Sequence, residues 1–125
     1  MAELRYTKEH ESVLIEGDVA KIGITDYARE ALGDLVYIEL PEAGREVEKG
    51  GEMGVVESVK TAAEIYAPLS GKVIAVNQAL SRDLDKISEP LTQGGWIVKL
   101  RISDESEIDE LMDQAEYDAL VAEKG

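Results

Sequence analysis

Apolar and polar positions alternate through most of the chain and give way to a longer period near its end. Residues 11–16 and 18–24 read as two extended runs around Gly17-Asp18, a pair suited to a hairpin turn. Thr25-Asp26 can cap a brief helix through Ala28, Arg29, Glu30 and Leu32, and Gly33 suits its C-terminal stop. The next run predicts a strand with Val36, Ile38 and Leu40 on one face, ended by Pro41. Pro41-Glu42-Ala43-Gly44 and Lys49-Gly50-Gly51 are turn chemistry. From Met53 the pattern is strand, tight turn, strand: Val55, Val56 and Val59, then Lys60-Thr61, then Ala63, Ile65 and Tyr66. Pro68 and Gly71 punctuate the exit, and residues 72–76 begin another strand. Residues 77–95 are polar, hold Pro90 and Gly94-Gly95, and predict a long loop or irregular helix; residues 96–102 supply one more strand.

The tail changes period. Ile108, Leu111, Met112 and Ala115 recur at helical spacing, and Tyr117, Leu120 and Val121 do so in a shifted register. Asp113 with Glu116 has capping-box spacing, so two short helices are expected with a joint near Asp113. Many short strands with few helices predict a mainly β fold, a small barrel or sandwich with helices at its edge. No low-complexity segment or linker divides the chain. Residues 1–125 are therefore expected to form a single domain, with a β core over about 4–102 and C-terminal helices over 103–124.

Composition narrows the chemistry. With 125 residues, no Phe, one Trp and five Tyr, the core must be built mostly from Val, Ile, Leu and Ala. The absence of cysteine excludes disulfides, thiolate zinc sites and cysteine nucleophiles, and a single histidine, His10, excludes a multi-histidine metal cluster. Against 27 acidic residues stand 13 Lys plus Arg, a net charge of −14. Such a surface is repelled by nucleic acid and anionic membranes and favours transient contacts with basic protein patches. The first residues, Met1-Ala2-Glu3-Leu4-Arg5-Tyr6, hold no apolar stretch of signal-peptide type, and no run approaches a membrane span. A soluble intracellular protein is expected.

Enzyme readings find little to build on. A catalytic triad would have to use His10, in Lys8-Glu9-His10-Glu11, yet no serine lies in a nucleophile-elbow sequence, so His10 reads as a surface or hydrogen-bonding group. The acidic run 104–110 lacks the mid-loop glycine of a calcium loop and falls where a helix N-terminus welcomes negative charge. Neither Gly50-Gly51 nor Gly94-Gly95 is followed by Lys-Ser or Lys-Thr, so there is no phosphate-binding loop. Lys60 stands apart. Flanked by two β runs, it falls at the apex of a hairpin, where a modifying enzyme can reach its amine, though a simple soluble turn lysine fits the same spacing.

The run Val56-Glu57-Ser58-Val59-Lys60-Thr61-Ala62-Ala63-Glu64-Ile65-Tyr66-Ala67-Pro68-Leu69-Ser70-Gly71 closely resembles the lipoyl-attachment motif of the glycine cleavage system H-protein family. Gly23-Ile24-Thr25-Asp26-Tyr27-Ala28, Ala31-Leu32-Gly33-Asp34, Lys8-Glu9-His10-Glu11, Gly95-Trp96 and the tail over 103–120 resemble it as well, in the family's order from about Leu4 to Leu120. The resemblance implies a non-catalytic lipoyl-carrier domain, a flattened β-sandwich or hybrid barrel of the biotinyl/lipoyl-carrier type. Lys60 would bear lipoate in amide linkage. Its implied partners are a pyridoxal-phosphate glycine decarboxylase (P-protein), a tetrahydrofolate-dependent aminomethyltransferase (T-protein) and a flavin dihydrolipoamide dehydrogenase (L-protein). A lipoate-attaching enzyme is a fourth. The decarboxylase would load an aminomethyl group on the oxidised arm, the transferase would remove it, and the dehydrogenase would reoxidise the sulfurs; the cofactor thus supplies what a cysteine-free chain lacks.

The same resemblance implies that Glu11 and Glu64 lie near the amine end of the loaded arm, and that Glu57 occupies the position read by lipoate-attaching enzymes. A monomer is expected, in the bacterial cytoplasm or the mitochondrial matrix. Departures from the family pattern fall at Ser12 (usually Trp), Ala31 (His in some relatives), Thr61 (usually Ala) and residues 83–91, and bear on arm docking and partner contacts. Biotin carriers flank their lysine with Met, unlike Val59 and Thr61, and lipoyl domains of 2-oxoacid dehydrogenases lack the helical tail. An H-like lipoate donor in a relay and an unmodified interaction module remain as alternatives.

Overall fold

The alternation read early in the chain is realised as three antiparallel strands: β1 (Ala2–Tyr6), β2 (Glu11–Glu16) and β3 (Val19–Ile24). The structure is a computed structural model and describes residues 2–124. Gly17, at φ 63°, makes the turn between β2 and β3, a conformation glycine adopts without steric cost. Helix α1 (Asp26–Leu32) begins where Thr25 Oγ1 accepts the Ala28 N–H at 3.2 Å, and ends where the Gly33 N–H reaches the Arg29 carbonyl. There follow β4 (Leu35–Glu39), β5 (Glu46–Val47), β6 (Glu52–Ser58), β7 (Ala62–Tyr66) and β8 (Gly71–Val76). The polar stretch folds as α2 (Ala79–Arg82) and a 3-10 helix (Leu84–Ser88), and β9 (Val98–Ile102) returns to the sheet.

Two antiparallel sheets result. One has six strands in the order β1-β2-β3-β9-β8-β5, the other three in the order β4-β6-β7. Val13, Ile15, Ala20, Ile22, Val73, Val98 and Leu100 from the first pack against Ile38, Met53, Val56 and Ile65 from the second in one aliphatic core. This is the flattened β-sandwich expected, with short helices at its margin.

Four features differ from the sequence reading. Val36 does not share a buried face with Ile38: the pairing of β4 with β6 slips between Leu35 and Tyr37, and this bulge turns Val36 outward beside Tyr37 while Ile38 stays in the core. Leu40 lies beyond the end of β4, half-buried against the core. The last strand begins at Val98 rather than Trp96. Strand β1 was not anticipated, because Glu3 and Arg5 interrupt any apolar run; its place is fixed by pairing with β2 and by reciprocal backbone bonds between Tyr6 and Met112 at 2.8 and 2.9 Å.

The tail divides as expected, into a 3-10 helix (Glu105–Glu110) and α3 (Gln114–Lys124). Asp113 Oδ1 accepts the Glu116 N–H at 2.9 Å while Glu116 Oε1 accepts the Asp113 N–H at 3.1 Å, the reciprocal capping box. Tyr117 anchors α3 on the sandwich. Its ring stacks on Tyr6 with centroids 4.7 Å apart, and its hydroxyl lies 2.7 Å from Thr25 Oγ1 and 2.8 Å from His10 Nδ1. His10 is thereby a hydrogen-bonding group, as its isolation in the sequence implied.

Candidate functional site

The bend between β6 and β7 is drawn tight by one hydroxyl. Ser58 Oγ accepts the backbone N–H groups of Lys60 and Thr61, each at 3.2 Å, and donates to the Thr61 carbonyl at 3.1 Å. The Ser58 N–H reaches that same carbonyl at 2.8 Å. Ser58 is buried, so its bonds are shielded from water and the turn is well determined. A second tie comes from outside the hairpin, where the Val59 N–H donates to the Asp34 carbonyl at 3.0 Å. Lys60 stands exposed at this bend. Its stem runs across Gly33, the residue ending α1: a Cβ built on that glycine would lie 3.3 Å from Lys60 Cε. With φ at 80°, Gly33 also occupies a backbone region that side chains disfavour, so its conformation calls for glycine there.

Beside the bend, a cleft of about 200 Å³ opens between α1 and the small sheet. Tyr27, Ala28, Ala31, Val56, Ala63 and Ile65 give it apolar walls, and Glu11 and Glu64 stand along it. Glu11 is 2% exposed. Its carboxylate accepts the Thr7 hydroxyl at 2.7 Å and the Tyr66 N–H at 3.1 Å, bridging β2 of the large sheet to β7 of the small one. Burial is the main cause that lifts its pKa from 4.5 to about 7; the Thr7 and Tyr66 bonds oppose the rise and the nearby Glu9 charge adds to it.

Glu64 is exposed and accepts the Tyr66 hydroxyl at 2.8 Å. Hydrogen bonding to Glu64, then its charge, raises the Tyr66 phenol; the same two causes raise the Glu52 carboxyl. Tyr66 therefore links the two cleft acids, its N–H to Glu11 and its hydroxyl to Glu64. Nothing in the sequence singled it out, since it reads as an ordinary strand aromatic. Ser58 was overlooked too, although a serine just before a β turn is a known turn-forming signal. Glu57 stays apart from this group. It lies exposed on the outer face of β6, opposite Tyr37.

An amine at a hairpin tip, an apolar cleft beside it and two acids along that cleft can hold a tethered chain and neutralise a cation at its end. Among the described residues no group of acids and histidine could hold a metal ion. A sandwich that offers one lysine at the end of a hairpin is the build of a carrier protein.

Residues 4–124 match the family model of the glycine cleavage H-protein. Among curated relatives, the glycine cleavage system H protein of Parvibaculum lavamentivorans is 50% identical over 121 residues, covering 97% of each chain. That of Xanthobacter autotrophicus is 52% identical over 117 residues, covering 94% of each. The crystal structure of a glycine cleavage system H protein from Mycobacterium marinum superposes with a TM-score of 0.84 at 35% identity, covering 96% of this chain and 97% of that one. The chain belongs to the glycine cleavage H-protein family, and its role is that of the lipoyl carrier in the glycine cleavage system.

Proposed function

We propose that Lys60 is the attachment point of the lipoyl group. On it the chain shuttles an aminomethyl group from the pyridoxal-phosphate glycine decarboxylase to the tetrahydrofolate-dependent aminomethyltransferase, and then presents its sulfurs to dihydrolipoamide dehydrogenase. The observation that carries this reading is an exposed lysine at a hairpin bend braced on both sides, by Ser58 within the turn and by Asp34 from the neighbouring loop. Acylation of Nζ by an activated acyl donor forms the amide, expels the donor's activating group and releases a proton to solvent. When bound, the lipoyl group supplies the redox sulfurs and the place where the one-carbon unit rides.

The chain's own residues then hold and shield. Gly33 leaves the lysine stem a path toward α1. The apolar walls of the cleft exclude water from a chain lying along them. Glu64 and Glu11 face the amine end, where a carboxylate stabilises a protonated nitrogen. An arriving ammonium favours the ionised form of Glu11, whose proton burial otherwise retains. Glu57, outside the cleft, is assigned to recognition by the lipoate-attaching enzyme. Residues 1–125 act as one carrier domain, as a monomer, since one lysine needs no second copy. The relatives are bacterial and, among the described residues, no helix is long and apolar enough to cross a membrane, which supports a cytoplasmic setting.

Intact-mass measurement of protein from its own cells tests the attachment. The wild type is expected to carry a lipoyl adduct and Lys60→Arg none; a wild type without the adduct would mean an unmodified interaction module. Glycine–bicarbonate exchange by the decarboxylase then tests the role, because a lipoate donor in a relay gives no stimulation.

A further inference from the structure

The three most exposed large apolar side chains among the described residues are Val59 at 68%, Val36 at 55% and Tyr37 at 53%. All three gather beside Lys60. Tyr37 lies opposite Glu57 on the outer face of the small sheet, and Val59, two residues beyond Glu57, stands exposed where β6 gives way to the bend. Val59 is bonded through its N–H to Asp34, two residues before Val36. Tyr37 points outward by ordinary alternation beside the buried Ile38, and the bulge at 35–37 turns Val36 outward with it, whereas unbroken alternation would have sent Val36 inward with Ile38. Exposed apolar side chains that cluster, rather than scatter, mark contact surfaces. Around them stand Asp34, Glu39 and Glu57, none of which makes an ion pair among the described residues.

We propose that Val36, Tyr37 and Val59 form the docking strip for the enzyme that acylates Lys60, and that this enzyme meets it with an apolar patch rimmed by Lys or Arg. The proposal rests on Lys60 being the attachment site. Location selects this partner from the others. An enzyme that joins an acyl group to Nζ must bring its catalytic atoms within bonding distance of the hairpin, so it covers Val59 and the neighbouring strand. Enzymes that act on the sulfurs work at the far end of the acyl chain. The strip also lies on the outer face of β4 and β6, away from the cleft beside α1, so a partner seated on it leaves the cleft free. The unpaired carboxylates at its margin supply the complement to a basic rim.

The test uses the full unlipoylated chain with the lipoate–protein ligase of the same organism, lipoate and ATP; lipoate displaces pyrophosphate from ATP to give the acyl adenylate, whose acyl group then passes to Nζ with loss of AMP and a proton to solvent. The triple variant V36T/Y37T/V59T puts a strand-favouring β-branched threonine at all three positions. Its KM for lipoylation is expected to rise roughly tenfold or more with kcat little changed, and the wild-type KM to rise with added salt. Leu4→Ser and Ile74→Ser, at exposed apolar positions elsewhere, are expected to match the wild type. Once lipoylated, the triple variant is expected to support glycine–bicarbonate exchange as the wild type does. An unchanged KM in the triple variant, or an equal rise in Leu4→Ser, overturns the strip. A KM indifferent to salt overturns the basic rim. A wild type that takes up no lipoate at Lys60 overturns the underlying attachment, a result distinct from either.

Discussion

The two sheets of the sandwich treat their outer surfaces differently. In the six-stranded sheet even residues between the core positions of β2 are covered: Ser12 and Leu14 are buried alongside Val13 and Ile15. At the adjoining Gly23 a Cβ would meet Leu91 Cδ2 at 2.6 Å, so the loop after the 3-10 helix Leu84–Ser88 lies directly on that sheet. The three-stranded sheet has its inner face in the core and leaves Tyr37, Glu39, Glu57 and Glu64 in the open. The first is a scaffold; the second is a display. What the difference teaches is a division of labour in which one sheet is covered on parts of both faces, while the other packs only its inner face and presents Lys60 at the end of its hairpin.

The hardest blow to that division should fall on the scaffold. Leu100 is fully buried on the central strand β9, and Leu100→Ala is expected to lower unfolding stability by about 3–5 kcal/mol, through lost transfer energy and the cavity left behind. Denaturant titration checks this, and lipoylation measured well below the melting temperature should stay near wild type. A strong lipoylation defect in a still-folded variant would show that the two sheets are not separable.

Next comes the seam, where Glu11 ties β2 to β7. Its carboxyl titrates near 7 in the fold against 4.5 unfolded, so the folded state holds a proton that the unfolded state has released between those values. The stability it contributes is complete below pH 4.5 and is lost as pH rises through about 7. Glu11→Gln is always neutral. Its stability relative to wild type should therefore grow between about pH 5 and about pH 8, by on the order of 3 kcal/mol. Paired unfolding curves across that range test it, and a difference independent of pH would remove Glu11 as a titrating seam.

The smallest effect belongs to the display. Ser58→Ala deletes the hydroxyl that serves the Lys60 and Thr61 amides, at an expected cost of about 1–2 kcal/mol. Amide hydrogen exchange at Lys60 and Thr61 should accelerate at least tenfold while exchange in β9 is little altered. Equal acceleration in both places would mean that the bend shares the cooperativity of the scaffold.

Much of this was legible in the chain itself. The hairpin around Gly17, the helix between Thr25 and Gly33, the bend at Lys60 and the capping box at Asp113 all rest on neighbours within a few residues, so local chemistry declares them. What stayed hidden depends on distant parts of the chain. β1 becomes a strand because β2 and Met112 pair with it, not because Leu4-Arg5-Tyr6 insists on one. The outward turn of Val36 comes from a register slip against β6, which periodicity alone misses. At the site, the position of Lys60 was readable, and resemblance brought Glu11 and Glu64 to attention. The burial of Glu11 and the joining role of Tyr66 arise where two sheets meet, and alternation along one strand carries no trace of that.

The joining of β3 to β9, with Val19 opposite Arg101 and Ile22 opposite Val98, has a consequence for how the protein is made. A nascent chain cannot close its larger sheet until residues 98–102 have left the ribosome, since the middle of that sheet waits for β9. For much of synthesis, then, the hairpin bearing Lys60 emerges without the layer that will later support it. Modification that needs the finished surface must wait for that strand.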